Sequence, residues 1–329
     1  MAVDWVTPLY RSGAAVFRTL PRAVSEGLSS ATYRAVSNVA NERRLLVERN
    51  LRRASDGALT GAALRRAVSA TYESYGHYWV DSFRLPRLTP AEVDAAFAYE
   101  GVEHIIQAHR AGTGMILVLP HLGGWEWAAF WVAHTLGIEV TAVVEPLDPP
   151  ELFDFFTEFR ESIGIHPVPL GPGVASTLLK ALRDNHMVCL LADRDIEGNG
   201  IAVDFFGERT TLPGGPATLA MRSGAPLLPT AVYFGSGAEH HAVVQGPLDV
   251  SRRATRLRDD VARVTQDVAH ALEGLIRRAP EQWHMQQPNW PSDIDALRAA
   301  GFDVRHHHRP DLAAAAAADS VVASPPRHG

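Results

Sequence analysis

Short, wholly apolar runs separated by helix-length amphipathic stretches constrain this chain most. Met115-Ile116-Leu117-Val118-Leu119 contains no polar residue and is entered through Gly112 and Gly114. A second wholly apolar run stands at 187–192, and mainly apolar runs, interrupted by Glu139, Thr141, His166 and Thr230, recur at 138–144, 165–169 and 227–234, with a further strand at 241–245. A run without polar alternation is the pattern of a strand buried on both faces. Helical periodicity fills the gaps at 125–136, 152–162, 174–183 and 217–222. It also covers 91–98 and 101–111 before the first strand, and 256–278 after the last. Strand–helix alternation of this kind predicts an α/β fold with a mostly parallel central sheet and helices on both faces.

The first 85 residues read differently. Trp5, Leu9, Val16, Phe17 and Leu20 recur at helical spacing with Arg11, Arg18 and Arg22 between them, and the pattern continues over 43–53 and 62–83. Residues 1–70 hold eleven arginines against five acids, a balance of +6 in a chain of net charge −6. Basic amphipathic helices can lie in a membrane interface, apolar face in the acyl boundary and arginines on anionic headgroups. An ordinary helical surface packed on the core is the alternative. The division read from the sequence is therefore 1–85, a membrane-associating helical region, 86–300, an α/β core, and 301–329, a flexible tail. No secretory signal and no apolar stretch of spanning length is visible. The expected place is the cytoplasmic face of the cell membrane, as a peripheral monomer. A single cysteine, Cys189, lies in an apolar run, which excludes an internal disulfide and reads as an inert core thiol.

Pro120-His121-Leu122-Gly123-Gly124-Trp125-Glu126 carries the chemistry. His121 follows directly on an apolar strand, and strand ends of open α/β sheets are where reacting groups collect. A neutral imidazole takes a proton from a hydroxyl, and a carboxylate on its other nitrogen fixes the tautomer. Glu126, five positions on, and Glu197, after the strand at 187–192, are the rival carboxylates for that task. The Gly123 and Gly124 amides are candidate oxyanion donors. Asp193-Arg194-Asp195 ends the strand at 187–192, on the same sheet edge as His121, and offers groups for sugar hydroxyls or a phosphate. Glu145 ends another strand.

His121-x4-Glu126 after a short strand resembles the motif of the lysophospholipid acyltransferase superfamily. The closer resemblance is to its branch of lipid A lauroyl/myristoyl and phosphatidylinositol mannoside acyltransferases. It rests on six segments in order: 119–126, Val144-Glu145-Pro146-Leu147, Ala192-Asp193-Arg194-Asp195, Val203-Asp204-Phe205-Phe206-Gly207, 212–217 and Trp283-His284-Met285. It spans about residues 10–300. The resemblance implies transfer of a palmitoyl chain from palmitoyl-CoA to the 6-hydroxyl of the 2-linked mannose of a phosphatidylinositol mono- or dimannoside. His121 would be the base and acyl-CoA a co-substrate, with no cofactor and no metal. Glu145 and Arg160 would meet the glycolipid head group, unless they form a surface ion pair. His284 would reach the sugar. The aromatic runs Phe153-Phe155-Phe156-Phe159 and Phe205-Phe206 either line an acyl groove or fill the core.

Two other readings stand beside this one. The acceptor can be a different lipid-linked sugar, or the chain can be a non-catalytic lipid-binding module with a structural His121. Serine hydrolase and dinucleotide-binding readings fail, since neither Gly-x-Ser-x-Gly nor Gly-x-Gly-x-x-Gly occurs where it is needed; Gly235-Ser236-Gly237 lacks the elbow pattern. The acidic balance argues against nucleic acid. His306-His307-His308 reads as a solvated tail, with no carboxylate at ligand spacing.

Overall fold

A computed structural model describes residues 6–235, 240–307, 310 and 312. Trp5, Ser236, Gly237, His308 and the tail from 313 lie outside the described residues.

The sheet strands are β1 (Phe97–Glu100), β2 (Met115–Leu119), β3 (Val140–Val144), β4 (Ile165–Pro169) and β5 (Met187–Leu191). A separate hairpin holds β6 (Ile201–Phe205) and β7 (Glu208–Leu212), and the sheet resumes with β8 (Leu227–Phe234) and β9 (His240–Val244). Sheet order is β1-β9-β8-β2-β5-β3-β4. Strands β8, β2, β5, β3 and β4 run parallel; β9 turns back antiparallel to β8, and β1 follows β9. The mostly parallel sheet of the sequence reading is present.

The helices are α1 (Val6–Thr19), α2 (Arg22–Val39), α3 (Asn41–Ala54), α4 (Gly61–Arg84), α5 (Pro90–Ala95) and α6 (Val102–Ala111). After them come α7 (Trp125–Trp131), α8 (Pro150–Ser162), α9 (Val174–Arg183), α10 (Gly215–Ser223), α11 (Leu257–Arg278) and α12 (Pro291–Ala299). They divide between the faces because side chains alternate along β2. Ile116 and Val118 join a core with α9, α10 and α11, whereas Met115, Leu117 and Leu119 join one with α5, α6, α7 and α8. All five residues of β2 are buried, which is why the run shows no polar alternation.

The helix predicted over 91–98 needs correction, and 201–212 holds a hairpin for which the sequence reading names no element. The helix stops at Ala95 and the chain turns into β1, a short, mostly exposed edge strand whose partner β9 is about 140 residues away. The hairpin of β6 and β7 was not read as strands. Phe205 and Phe206 are buried core residues, as are Phe155, Phe156 and Phe159, so neither aromatic run walls the large cavity described below. Cys189 is buried, and burial pushes its thiol up to about 12.

The basic N-terminal helices pack beside this frame. Helix α2 lies along α4, whose Gly76 admits it: a Cβ there would stand 2.6 Å from Ser29 Oγ and from the Tyr33 ring. Among the described residues no helix is long and apolar enough to cross a membrane.

Candidate active site

Register places the central pair. Leu119 of β2 stands opposite Leu191 of β5. His121 and Asp193 each lie two residues beyond, so parallel strands deliver both side chains to one sheet edge. His121 Nδ1 is 2.6 Å from Asp193 Oδ1, and the His121 backbone N–H donates to Asp193 Oδ2 at 3.0 Å. The Trp283 indole N–H donates to the same Oδ2 at 2.8 Å, and Asn289 Nδ2 donates to the Asp193 carbonyl. Asp193 is 0% exposed. Burial alone would raise its carboxyl, but the adjacent His121 ring and the Trp283 and His121 N–H donors hold it below the usual carboxylate range. An ionised carboxylate only accepts hydrogen bonds. In the neutral ring Nδ1 therefore carries the proton, and Nε2 presents its lone pair. No described residue hydrogen-bonds Nε2, and His121 lines a cavity of about 760 Å³.

The carboxylate on His121 is thus Asp193, and neither Glu126 nor Glu197 fills that role. Glu126 is 1% exposed and points elsewhere: Tyr78 Oη donates to its Oε1 at 2.8 Å, and Arg160 Nη2 lies 3.5 Å away. Burial raises its carboxyl, with Arg160 and Tyr78 opposing. Glu197 is exposed in the loop after β5. An α-helical step of 100° swings position 126 away from a residue that precedes the helix, whereas strand register does not.

The two glycines serve the backbone. Gly123 has φ +58°, and a Cβ there would sit 1.8 Å from Val232 O. Its N–H donates to Gln282 O, and that of Gly124 donates to Val232 O. Both amides are spent, so they are not the oxyanion donors expected of them; the glycines let the His121 loop lie against β8 and the 282–284 segment.

The remaining candidates fall around the cavity. β3 neighbours β5, so Glu145, just past Val144, meets Arg194, at 2.6 Å. The alternative of a Glu145–Arg160 ion pair is not realised; Arg160 pairs with Glu126 and lies over the Trp125 and Phe156 rings. Arg160, Arg194 and Glu145 line the cavity, and the Nε–H groups of both arginines are buried without a hydrogen-bond partner. Asp195 also borders the cavity, and its oxygens accept from Gly198 N, Gly200 N and Thr211 Oγ1 and so shape the loop. His284 borders the cavity, but its Nε2 is 2.9 Å from Ser74 Oγ and its backbone N–H donates to His121 O. Burial, with His121 and His77 nearby, lowers its imidazole to about 3, so it stays neutral.

Sequence reasoning missed Tyr78, Tyr75 and Trp79, which α4 contributes to the cavity wall, and Asn289. Only helical spacing marks the first three, and Asn289 carries no signal. His306 and His307, read as solvated tail, also line the cavity, where His307 Nε2 meets Glu42 Oε1.

A sequence profile described as the bacterial lipid A biosynthesis acyltransferase family matches residues 1–292. The phosphatidylinositol mannoside acyltransferase of Mycolicibacterium smegmatis is 34% identical over 294 residues, covering 88% of this chain and 93% of that protein. That of Mycobacterium tuberculosis is 36% identical over 306 residues, covering 91% and 92%. A lipid A biosynthesis acyltransferase of Haemophilus influenzae is 28% identical over 186 residues, 56% of this chain and 55% of that protein.

Proposed function

Because the chain belongs to the bacterial lipid A biosynthesis acyltransferase family and is accordingly an acyltransferase, we propose that it moves a palmitoyl chain from palmitoyl-CoA to the 6-hydroxyl of the 2-linked mannose of a phosphatidylinositol mono- or dimannoside. The names of the mycobacterial relatives support the acceptor. The observation that carries the chemistry is the His121–Asp193 pair, with a free Nε2 on a cavity of about 760 Å³.

His121 Nε2 takes the hydroxyl proton as the oxygen attacks the thioester carbonyl. The carbon–oxygen bond forms, the carbon–sulfur bond breaks, and the CoA thiolate leaves with the proton that His121 returns. Asp193, as a positioning residue, fixes the tautomer and stabilises the transient imidazolium. Such base catalysis is worth about 10²–10⁴-fold. The pairs Glu145–Arg194 and Arg160–Glu126 supply charge for the head group. Transfer is direct, since no hydroxyl or thiol hydrogen-bonds His121 among the described residues and Cys189 is buried away from it.

The protein works as a monomer on the cytoplasmic face of the membrane. Val24, Leu28, Val36 and Val39 of α2 are exposed large apolar side chains within an arc of about 120° at 100° per residue, and Val16 of α1 is exposed beside them in sequence. An apolar arc on a helix of the basic N-terminal region suits an anionic membrane interface.

Purified protein offered palmitoyl-CoA with a phosphatidylinositol dimannoside or with a lipid A-type disaccharide lipid tests the reading. Mass spectrometry should find palmitate on the 2-linked mannose. Preference for the disaccharide lipid would refute the acceptor, and a palmitoyl–protein adduct trapped during turnover would refute direct transfer.

A further inference from the structure

Behind the His121 loop, on the far side of Gly124, three ligand-type side chains from two helices converge, and a buried histidine stands beside one of them. One carboxylate oxygen of Glu26 (α2), one ring nitrogen of His77 and one carboxylate oxygen of Asp81 (α4) all lie within 4.8 Å of one another. His77 Nε2 is 2.8 Å from Asp81 Oδ2, and His240 Nε2 (β9) is 3.3 Å from the same oxygen. His240 is 0% exposed, and neither of its ring nitrogens makes a hydrogen bond of acceptable geometry. A buried, unsatisfied imidazole beside a carboxylate asks for a missing partner, and an ion is one of the few that answers.

We propose that Glu26, His77 and Asp81, joined by a shift of the neighbouring His240 toward them, bind a divalent transition-metal ion of the zinc class. Imidazole nitrogens and carboxylate oxygens are ligands that zinc accepts in tetrahedral array at about 2.0–2.2 Å. Two carboxylates balance the ion's charge. His77 and Asp81, four residues apart on α4, share a helix face, as paired ligands require. A supporting shell is already in place: Arg22 Nε donates to Glu26 Oε1 at 2.6 Å, and Arg22 Nη2 is 3.4 Å from Asp81 Oδ1. It engages Asp81 through Oδ1 and leaves Oδ2 to the histidines. The Trp127 ring, stacked on His240 at 4.1 Å and 12°, holds the imidazole from the other side. Metal-ligand orientation is commonly fixed by such outer contacts.

The ion is structural in this arrangement. It ties the basic helix α2 and the cavity-wall helix α4 to the sheet edge, next to the glycine turn that aims His121. A Cβ on Gly124 would come within 2.9 Å of His240, so the two features share one packing unit. Sequence spacing hides the site, because its ligands are spread over residues 26 to 240.

The test uses the full chain, stripped with a chelator and titrated with Co²⁺ and Zn²⁺. One equivalent of Co²⁺ should give the visible absorption of a tetrahedral site, Zn²⁺ should displace it, and the melting temperature should rise on loading. His77→Ala and Glu26→Gln, both at partly exposed side chains, should each weaken binding about 100-fold or more. Double substitution of His306 and His307 should leave the Co²⁺ affinity unchanged, although those residues and Glu42 form a second cluster at the cavity rim. Octahedral Co²⁺ only, unaltered affinity in the His77 and Glu26 variants, or loss of binding in the His306/His307 variant would overturn the proposal.

Discussion

Replacing Asp193 by Asn separates the roles of its two oxygens. Oδ2 accepts two N–H donors, from His121 N and Trp283 Nε1, whereas Oδ1 faces only His121 Nδ1. An amide has one accepting oxygen and one donating nitrogen. With its oxygen in the Oδ2 position, both backbone and indole donors stay satisfied, and the NH₂ turns toward Nδ1. The imidazole then accommodates it by moving its own proton to Nε2, which leaves no buried donor unpaired but removes the base. The opposite orientation keeps the productive tautomer at the expense of two buried donors facing an NH₂. At about 1–3 kcal/mol for each unsatisfied group, it lies roughly 2–6 kcal/mol higher, a factor of about 30 to 2 × 10⁴ at 1.4 kcal/mol per decade. The same tautomer error costs about 10⁴-fold when Asn replaces the orienting carboxylate of a Ser-His-Asp triad. Asp193→Asn should therefore lower kcat for acyl transfer by about 10²–10⁴-fold while KM for acyl-CoA moves less than about threefold. Steady-state transfer from labelled acyl-CoA reads both constants, and a thermal melt confirms that the variant is folded. A kcat within tenfold of the parent would refute the assignment of Asp193 as the tautomer-fixing group.

Other expectations follow from the same geometry. Glu126→Gln and Glu197→Gln should each keep kcat within about tenfold of the parent in that assay, since neither carboxylate touches His121. Gly123→Ala should destabilise the fold by about 2–3 kcal/mol or more, because φ +58° is combined with a Cβ 1.8 Å from Val232 O; urea unfolding measures it, and a loss under 1 kcal/mol would contradict it. His284 is neutral when folded, its ring lowered to about 3 from 6.5. Between those values the unfolded chain binds a proton that the folded chain does not, so stability is complete above 6.5 and falls with pH by about 1.4 kcal/mol per unit. His284→Gln should flatten that slope between pH 6.5 and 5.0, and an unchanged slope would count against it. Charged substitution of Val24, Leu28 and Val39 together should weaken binding to anionic vesicles at least tenfold by sedimentation.

Much of this was legible because the core strands advertise themselves. A run such as Met115–Leu119, buried on both faces, leaves no room for polar alternation, and the residue after it, past Pro120, had to emerge at a sheet edge. The same logic placed Asp193 on that edge. What the sequence withheld was pairing. Which carboxylate reaches His121 depends on β2 and β5 being neighbours in register, a contact across 72 residues that no local period encodes. The sequence offers Glu126 and Glu197 as rivals, yet the helix turns Glu126 toward Tyr78 and Arg160, and Glu197 is exposed in its loop. The glycine amides misled for a related reason: a backbone N–H looks free until the strand beside it is known. The helix predicted over 91–98 runs into the first two residues of β1 because that strand is short and mostly exposed and its partner is distant.

The central claim is that one imidazole performs the proton transfer in a cavity that holds both substrates. His121→Ala, assayed in a single turnover with bound palmitoyl-CoA and saturating acceptor, addresses it without interference from product release. The account predicts an acyl-CoA Kd within about threefold of the parent and a transfer rate lower by at least about 10²-fold. Transfer at a rate comparable to the parent, with acyl-CoA bound equally well, would contradict it.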